Sequence, residues 1–436
     1  MDMISDIDVI VVGAGPSGVA CAITIARGGN KVLVIEKASD FGTKNMYGGA
    51  IYLESIKELL PEAYEKLPFD RYLTTHNYVI LNDKNSINVS YTNNENKTAL
   101  TTTRHAFDTF LVDEAKKLGV YFAPNTLVVD ILKDKNKVVG VKTENEEIYS
   151  KIVVLAEGFN TILAEKIGLK KKTEPKSAIL GVKEVIKLKP EIINQRFNLE
   201  GKQGALFEFF GGLSLEDEDS PLAMGFLYTY KNSITIGVGI SMESLKNSKI
   251  KPYEYLNRLK NNDFVSSLIK DGEVVEYSAH SIPEGGYNEL PKLFDDGVLI
   301  VGDAANLVDS IHFEGTNLAI KSGILAGETC NLAILKQDYS KKTLKNYKKE
   351  LFNSYVIKDL KTYKDVIKTL YNRRKSVFSY YPKKIDEFFN LWVSADNMGK
   401  KKNYKKFLSS FFKDRSLKEL MADVISFVKC LLGAII

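Results

Sequence analysis

Six residues near the start of the chain, Gly13-Ala14-Gly15-Pro16-Ser17-Gly18, have the spacing of a loop that binds the phosphates of a dinucleotide. Gly13 allows a tight turn, Gly15 lets the backbone approach a pyrophosphate, and Gly18 lets a helix pack closely on a strand. Glu36 follows in a position where a carboxylate accepts hydrogen bonds from ribose hydroxyls. A glycine-rich turn without a ligand is the alternative, but the combination of spacing and acid favours a dinucleotide site.

These residues need strands and helices that hold them together. An apolar strand over Ile7–Val12, a helix to about Gly28 and a second strand over Lys31–Ile35 form one βαβ unit. Two later apolar strands also end at glycine-containing junctions, Ala156-Glu157-Gly158 and Gly302-Asp303. We therefore expect one cofactor domain assembled from distant parts of the chain.

The last junction has the residue types that a flavin needs. Asp303 can hold a polyhydroxyl chain, and Gly315-Thr316-Asn317 open an apolar helix whose N–H groups can face an electron-rich ring edge. Either of the two later junctions, taken alone, could be an ordinary turn.

Together these motifs resemble the FAD-binding family that includes aromatic hydroxylases, geranylgeranyl reductases and electron-transfer-flavoprotein:quinone oxidoreductases. Three segments, residues 42–49, 104–108 and 302–319, are similar to the FixC-type branch of that family. Members of this branch accept electrons from an electron-transfer flavoprotein and pass them to quinone. The resemblance covers about residues 7–330, and the motif around Lys44-Asn45 is its most branch-specific part.

The resemblance implies an α/β fold with a discontinuous Rossmann-like FAD-binding domain of the glutathione-reductase and aromatic-hydroxylase type. The FAD-binding domain would comprise residues 1–75, 125–169 and 285–335. A β-sheet domain for substrate, here quinone, would comprise residues 76–124 and 170–284. A basic helical region would occupy residues 336–436.

The resemblance also implies the residues that contact FAD. Lys44, Asn45, Gly48 and Gly49 would line the isoalloxazine, and Arg104 would approach the phosphate or ribityl region. Val128 would meet the adenine through its backbone. Without this context, Lys44 is more often a surface charge, Arg104 an ion-pair partner and Val128 a core residue. The full set is Gly13, Gly15, Pro16, Ser17, Gly18, Glu36, Lys37, Lys44, Asn45, Gly48, Gly49, Arg104, Val128, Ala156, Glu157, Gly158, Gly302, Asp303, Gly315, Thr316 and Asn317.

The number of cysteines indicates whether an iron–sulfur cluster could lie on this chain or on a partner subunit. Longer quinone oxidoreductases of this family carry a [4Fe–4S] cluster in the same chain, whereas Cys21, Cys330 and Cys430 are too few for the four ligands of such a cluster. The resemblance therefore implies a separate ferredoxin-like iron–sulfur subunit, and no metal site is predicted on this chain. No acid–base pair is assigned, because the flavin itself carries the redox chemistry.

Two other functions stay open. A prenyl-lipid (geranylgeranyl) reductase is one, but residues 37–60 lack the cysteine that certain archaeal-type enzymes place near the flavin. The other is a flavin-bearing subunit whose main task is assembly. His312, beside the helix start at Gly315, suits a turn better than a proton relay.

The middle of the chain alternates apolar and polar residues as a sheet does. Strands are predicted over Ala178–Ile186, Ala205–Phe210, Met224–Tyr230 and Ile234–Ile240. Its aromatic and glycine residues suit a flat apolar head group with an isoprenoid tail, although an ordinary sheet core would use the same residue types. The candidate substrate residues are Phe209, Gly211, Gly212 and Tyr228.

Charge is unevenly distributed along the 436 residues. The whole chain carries a net charge of +5, which is too close to neutral to indicate nucleic-acid binding. Residues 331–436 hold 24 Lys/Arg against 10 Asp/Glu, and an apolar helix face follows the lysines from Leu417 to Ile435. Such a helix suits either anionic lipid or a subunit surface. The acidic start shows no leader pattern, so we expect a cytoplasmic protein that is peripheral on the inner face of the cell membrane.

Overall fold

The structure is a computed structural model that describes residues 7–42, 46, 49–82, 84–213, 221–246, 248–395 and 399–435. For residues 414 and 431–435 it describes the backbone alone. The strands in chain order are β1 (Val9–Val12), β2 (Val32–Ile35), β3 (Ala50–Tyr52), β4 (Arg71–Leu81), β5 (Ser86–Thr92), β6 (Ala99–Thr101), β7 (Tyr121–Ala123), β8 (Val128–Asp134), β9 (Lys137–Thr143), β10 (Glu147–Tyr149), β11 (Ile152–Leu155), β12 (Ala178–Lys187), β13 (Gln203–Gly211), β14 (Ala223–Thr229), β15 (Ser233–Ser241), β16 (Glu273–Pro283), β17 (Phe294–Asp295) and β18 (Val298–Ile300).

The helices follow the same order. They are α1 (Pro16–Arg27), α2 (Glu54–Leu59), α3 (Arg104–Lys117), α4 (Ile162–Lys166), α5 (Pro190–Phe197), α6 (Met242–Lys246), α7 (Pro252–Asn261), α8 (Asp263–Ile269), α9 (Thr316–Lys336), α10 (Lys341–Asn353), α11 (Tyr355–Thr362), α12 (Val366–Asn372), α13 (Tyr381–Val393), α14 (Lys400–Asp414) and α15 (Leu417–Ile435). A π-helical turn, Ser376–Tyr380, precedes α13.

The chain divides into two compact units. The first, which we call the parallel-sheet unit, is Met1–Asp70, Thr98–Ala178 and Ser281–Lys364. The second, the mixed-sheet unit, is Arg71–Lys97, Ile179–His280 and Asp365–Ile436. The sequence analysis divided the chain into three regions instead, and the boundaries of those regions stay a prediction.

The parallel-sheet unit is built on six strands in the order β17-β18-β11-β1-β2-β7. All neighbours run parallel except β17, which is antiparallel to β18. Strands β1, β2 and β11 are buried along their whole length, as expected for parallel strands with covered faces. Val12 pairs with both Leu155 and Ile35, so the carboxyl ends of these strands lie side by side. The junctions that follow these strands therefore meet at one edge of the sheet.

Helices α1 and α9 pack closely within this unit because α9 carries two glycines at the contact. A Cβ on Gly323 would lie 2.2 Å from the Ser17 carbonyl oxygen, and one on Gly327 would lie 2.6 Å from the Thr24 Cβ. By length and composition α9 is also apolar enough to cross a membrane, but 67% of the window that qualifies is buried inside the protein. That burial is typical of a core helix.

The mixed-sheet unit has the strand order β16-β12-β15-β14-β13-β4, with β5 paired to β4. Strand β13 runs parallel to β4, and β12, β14 and β15 are antiparallel to their paired neighbours along the sheet. The four strands predicted in this region correspond to β12–β15 within one residue or two at each end. Helices α7 and α8 cover the sheet and bury Tyr255, Leu259 and Val265 in its core.

The helical C-terminal region confirms one prediction and corrects another. The terminal apolar helix extends over Leu417–Ile435, as predicted. Lysines and regularly spaced apolar residues over Lys341–Lys361 predict a helix, but this segment forms two helices, because Ser354 adopts an extended conformation with ψ of 167° between α10 and α11. The predicted α/β class with a helical C-terminal region is confirmed.

Candidate functional site

The glycine loop after β1 forms the base of the site in the parallel-sheet unit. Gly13 has φ of +108°, and a Cβ there would lie 2.3 Å from the Ala156 carbonyl oxygen. A Cβ on Gly18 would lie 2.0 Å from the Gly13 carbonyl oxygen. Gly15 precedes α1 and has no side chain to cap it, so no side chain competes for the N–H groups of the first turn. The loop can therefore present backbone donors to an anion.

Glu36 lies at the end of β2 and fastens this loop. Its carboxylate accepts a hydrogen bond from the Ala14 N–H at 2.9 Å and another from the Ala38 N–H at 2.9 Å. The side chain of Lys37 is exposed. Glu36 thus holds the glycine loop in place and keeps a carboxylate at the strand end where a ribose would bind.

Arg104 lies at the start of α3, beside the glycine loop. Its Nε donates to both carboxylate oxygens of Asp108 at 2.8 Å, and Asp108 is buried. A Cβ on Gly15 would lie 3.9 Å from Arg104 Nη2. The ion pair with Asp108 therefore fixes a guanidinium close to the position predicted for the phosphates.

Gly302 and Asp303 follow β18 in a short 3-10 turn. Gly302 has φ of +64°, and a Cβ there would lie 2.5 Å from Ser17 Oγ, so this glycine lets the turn approach α1. The Gly302 N–H donates to Ser322 Oγ at 3.0 Å. Burial raises the pKa of Asp303, whereas the charges of Arg104 and Lys170 act in the opposite direction. Ionised Asp303 is therefore stabilised mainly by cations on two other segments.

Lys170 is a residue that the sequence analysis missed. Its Nζ donates to the Ala304 carbonyl at 3.1 Å and to Asn306 Oδ1 at 2.7 Å, and its side chain is buried. Burial lowers the pKa of Lys170 to about 8. The run Lys170-Lys171-Lys172 is typical of a solvated surface, and nothing in that run distinguishes its first member.

The start of α9 supplies the other wall. Gly315 precedes the helix and offers no side-chain cap. Asn317 Nδ2 donates to Glu314 Oε2 at 2.6 Å, while Asn317 Oδ1 is buried with no hydrogen-bond partner among the described residues. A buried acceptor left without a donor is costly, so this position favours a ligand that carries an N–H group. The pyrimidine edge of a flavin has such a group.

Four further predicted positions lie in structurally defined places. Ala156 contacts the glycine loop at Gly13, and Gly158 has φ of +69°. The Glu157 carboxylate accepts from the N–H groups of Leu163 at 2.8 Å and Ala164 at 3.0 Å, so it caps α4. Val128 is buried at the start of β8. Any contact of these residues with FAD stays a prediction.

The structure describes only part of the motif that is expected to line the isoalloxazine. Lys44, Asn45 and Gly48 lie outside the described residues. Gly49 is described and buried, with φ of +135° immediately before β3. The positive φ explains why glycine suits this position.

The candidate substrate residues belong to the mixed-sheet unit and lie in or beside its core. Phe209 is fully buried and stacks on Phe207 with ring centroids 6.0 Å apart. Tyr228 is 4% exposed. Gly211 and Gly212 have φ of +77° and +67° and both approach Leu81. Phe209 and Tyr228 are therefore buried and the two glycines closely packed, and a role of all four in binding substrate stays a prediction.

Comparison with known proteins gives three matching family models. "FAD dependent oxidoreductase" matches residues 8–159, "ETF-QO, ubiquinone-binding" matches residues 179–282, and "ETF-QO/FixC family C-terminal domain" matches residues 367–432. The first match contains the glycine loop, Glu36 and Arg104. The second covers strands β12–β15 and most of β16.

Curated relatives match along nearly the whole chain. Protein FixC of Bradyrhizobium diazoefficiens is 36% identical over 430 residues, which is 97% of this chain and 98% of the relative. Protein FixC of Azotobacter vinelandii is 37% identical over 427 residues, 96% of this chain and 98% of the relative. Protein FixC of Escherichia coli K12 is 36% identical over 381 residues, 86% of this chain and 87% of the relative.

Solved structures share the fold at lower sequence identity. A geranylgeranyl bacteriochlorophyll reductase-like protein from Thermoplasma acidophilum has a TM-score of 0.72 at 22% identity, over 87% of this chain and 90% of that protein. The flavin-dependent brominase Bmp2 has a TM-score of 0.65 at 17% identity, over 94% of this chain and all of the brominase. The fold and the cofactor predicted from the sequence, FAD, are confirmed.

Proposed function

Because the chain belongs to the ETF-QO/FixC family of FAD-dependent oxidoreductases, we propose that it accepts electrons from an electron-transfer flavoprotein and reduces a membrane quinone. The chain is an FAD-dependent oxidoreductase linked to quinone. The proposal adds the donor, the direction of transfer and a separate ferredoxin-like iron–sulfur subunit. The match of a ubiquinone-binding family model to residues 179–282 is the observation that carries it.

The residues of the parallel-sheet unit suit a cofactor that takes up electrons. FAD, when bound, supplies the redox chemistry, and the protein supplies binding, orientation and electrostatics. Gly13, Gly15 and Gly18 bring backbone donors to the phosphates, and Arg104 adds a fixed positive charge. The uncapped N-terminus of α9 supplies positive potential where negative charge would accumulate.

The cysteines support a separate iron–sulfur subunit. Cys21 and Cys330 are buried, and Cys430 is partly buried on α15. A [4Fe–4S] cluster takes four thiolates, which three cysteines on this chain do not provide. The proposal therefore includes a separate ferredoxin-like subunit, and electrons reach FAD from the electron-transfer flavoprotein either directly or through that subunit.

A peripheral position on the inner face of the cell membrane follows from a quinone substrate. We define the terminal apolar face as the five most exposed apolar side chains among residues 417–430 of α15, the part of the helix whose side chains the structure describes. Each of them is 44–60% exposed: Leu417, Met421, Val424, Ile425 and Val428. Lysines 400–402, 405, 406 and 413 on α14 are exposed as well. Exposed apolar side chains beside a cluster of lysines are what anionic lipid binds.

The proposal is tested by anaerobic electron transfer with the FAD-loaded full chain. Reduced electron-transfer flavoprotein should bleach the flavin absorbance, and a ubiquinone analogue should restore it. Repeating the reaction with and without the ferredoxin-like subunit distinguishes the two electron paths. A Glu36→Ala preparation stripped of FAD serves as the control that should transfer no electrons.

Failure would take a specific form. If reduced electron-transfer flavoprotein does not bleach the flavin either with or without the ferredoxin-like subunit, while an artificial reductant does, the proposed donor is wrong. If the reduced protein ignores the quinone analogue but hydrogenates a prenyl lipid, a prenyl-lipid reductase replaces the proposal.

A further inference from the structure

Lys170 is a buried lysine outside the motifs that the sequence assigns to FAD. The residue is 7% exposed. The backbone around it is fixed from two sides, because the Lys170 N–H donates to the Ala164 carbonyl at 3.3 Å and the Lys292 N–H donates to the Leu169 carbonyl at 2.9 Å. A charged group is costly to bury unless protein groups replace its water, so the partners of this ammonium group indicate its role.

Among the described residues, the ammonium group donates two hydrogen bonds, and both end on the segment that carries Asp303. One acceptor is the Ala304 carbonyl at 3.1 Å, and the other is Asn306 Oδ1 at 2.7 Å. Asn306 has φ of +58°, a conformation that asparagine adopts more readily than most residues, and its Nδ2 donates to the Glu289 carbonyl at 2.6 Å. Lys170 and Asn306 together therefore tie the turn to two other parts of the chain.

The Asp303 carboxylate itself is left open. The residue is partly exposed, and no group in the part of the chain that the structure describes donates a hydrogen bond to its carboxylate. Such a carboxylate is available to the hydroxyl groups of a ligand. Its direction must then come from the backbone of the turn, in which the Asn306 N–H donates to the Asp303 carbonyl at 2.9 Å. Lys170 stabilises the same turn with a charged donor.

The charges around Lys170 act on its protonation in opposite directions. Burial lowers the pKa of Lys170 to about 8, while the negative charges of Asp303, Glu165, Glu157 and Glu289 raise it. A lysine with that pKa is mostly protonated at pH 7. Lys170 therefore brings one positive charge to the turn at neutral pH and loses it in more alkaline solution.

We propose that Lys170 is a positioning residue of the FAD site, which holds the Asp303 turn for the cofactor and favours reduced FAD over oxidised FAD through its positive charge. Reduction adds negative charge to the site, and a fixed cation stabilises that charge. No bond forms or breaks at Lys170. The inference rests on the predicted contact of Asp303 with FAD, and not on the proposed electron donor or on quinone.

The affinities for oxidised and reduced FAD test this role without either partner. At pH 7, Lys170→Met should bind oxidised FAD roughly tenfold more weakly than the wild type and reduced FAD roughly a hundredfold more weakly. The additional tenfold loss lowers the midpoint potential of the bound two-electron couple by about 30 mV. Titration of the apoprotein with FAD measures the first effect, and photoreduction of the FAD-loaded protein against a reference dye measures the second.

The next residue in the chain offers a matched control. Lys171 is exposed, so Lys171→Met removes the same charge from the surface and should bind both redox forms of FAD as the wild type does. A purely structural role of Lys170 would weaken the binding of both forms equally. Lys170→Met would then keep the midpoint potential of the wild type, and that result would overturn the proposal.

Lys170→Gln keeps the test decisive if Lys170→Met does not fold. Its amide offers N–H donors for Ala304 and Asn306 without a charge. At pH 7 its midpoint potential should lie below that of the wild type, and the difference should narrow toward pH 10, where wild-type Lys170 has lost its proton. Equal potentials at pH 7, or a difference that is independent of pH, would refute the role of the charge and with it the proposal.

Asp303→Asn separates this inference from the predicted site on which it rests. If Asp303→Asn binds FAD as tightly as the wild type, the predicted contact of Asp303 with FAD is wrong, and the proposal for Lys170 is overturned with it. If Asp303→Asn weakens FAD binding and Lys170→Met does not, the contact is supported and the proposal for Lys170 alone is overturned.

Discussion

The proposed FAD-binding edge of the parallel-sheet unit and the C-terminal helices of the mixed-sheet unit treat buried polar groups differently. At the first, Asn317 Oδ1 is buried without a hydrogen-bond partner among the described residues, and two helices begin at glycines that cannot cap them. In the second, the buried carboxylate of Asp423 faces two arginines of the same unit, while apolar side chains are exposed.

The enclosed charge is a small network within the C-terminal helices. Asp423 is fully buried, and its Oδ2 lies 2.8 Å from Arg415 Nη1 and accepts from the Tyr381 hydroxyl at 2.9 Å. Arg373 Nη1 lies 3.4 Å from Oδ1. Burial raises the pKa of Tyr381 to about 12, and the charge of Asp423 acts in the same direction.

The difference indicates which kind of partner, a polar ligand or a lipid surface, each region is suited to bind. The first leaves backbone and amide groups for a polar ligand to satisfy, which requires a ligand of defined shape. The second surrounds its buried carboxylate with two cations and a hydroxyl group and presents apolar area, which a lipid surface can cover without a specific geometry. The predictions below alter one region at a time and ask whether the other is affected.

The largest effect is expected from Gly18→Val. The added side chain would overlap the Gly13 carbonyl and separate α1 from β1, so the protein should purify without FAD. Flavin absorbance per protein measures this. Gly29→Ala is the control, because Gly29 has a positive φ of +77° but no atom lies within 4 Å of an added Cβ. It should cost about 1 kcal/mol and keep FAD, and equal loss of FAD in both variants would contradict the steric argument.

The second effect concerns the C-terminal helices. Asp423→Ala leaves Arg415 and Arg373 without their buried partner and should destabilise the mixed-sheet unit by roughly 3–5 kcal/mol. Hydrogen exchange of α15 should accelerate while FAD stays bound. Lys429→Ala, which removes an exposed charge from the same helix, should change little. Unaltered exchange of α15 in Asp423→Ala would mean that the network does not hold the helix.

A smaller effect is expected at Glu36. Glu36→Ala leaves the Ala14 and Ala38 N–H groups without their acceptor and should weaken FAD binding by about 1.5–3 kcal/mol. Titration of the apoprotein with FAD measures this. Glu36→Gln keeps one acceptor oxygen, so its affinity for FAD should lie between that of Glu36→Ala and that of the wild type. The role of Glu36 is refuted if Ala and wild type bind FAD equally.

The smallest effect is expected at the terminal apolar face. Changing Met421, Val424 and Val428 to serine should weaken binding to anionic vesicles by roughly tenfold, because less apolar area is buried in lipid. Added salt should weaken wild-type binding only in part, since it screens the lysines alone. These substitutions retain Asp423, which deletion of residues 417–436 would remove, so a fall in binding reports the surface and not loss of the helix. Undiminished binding by the triple variant would make this face a subunit contact.

The sequence by itself determined the parts of the protein that depend on backbone geometry and local order. Gly13, Gly18 and Gly302 could be identified because few residue types tolerate a positive φ or a contact near 2 Å, and that requirement is visible in one sequence. The βαβ unit, the strands of the mixed sheet and the terminal helix were predictable for a similar reason, since hydrophobic periodicity reflects local structure.

Only the tertiary structure decided which charged residues are buried and what they face. In the sequence, Lys170 is one of three consecutive lysines and Asp423 is one acid on an amphipathic helix. In the structure, Lys170 bonds Asn306, which is 136 residues away along the chain, and Asp423 bonds Tyr381, which is 42 residues away. A charge is buried only where distant segments supply its counter-charges and exclude water, and the sequence around it does not show that.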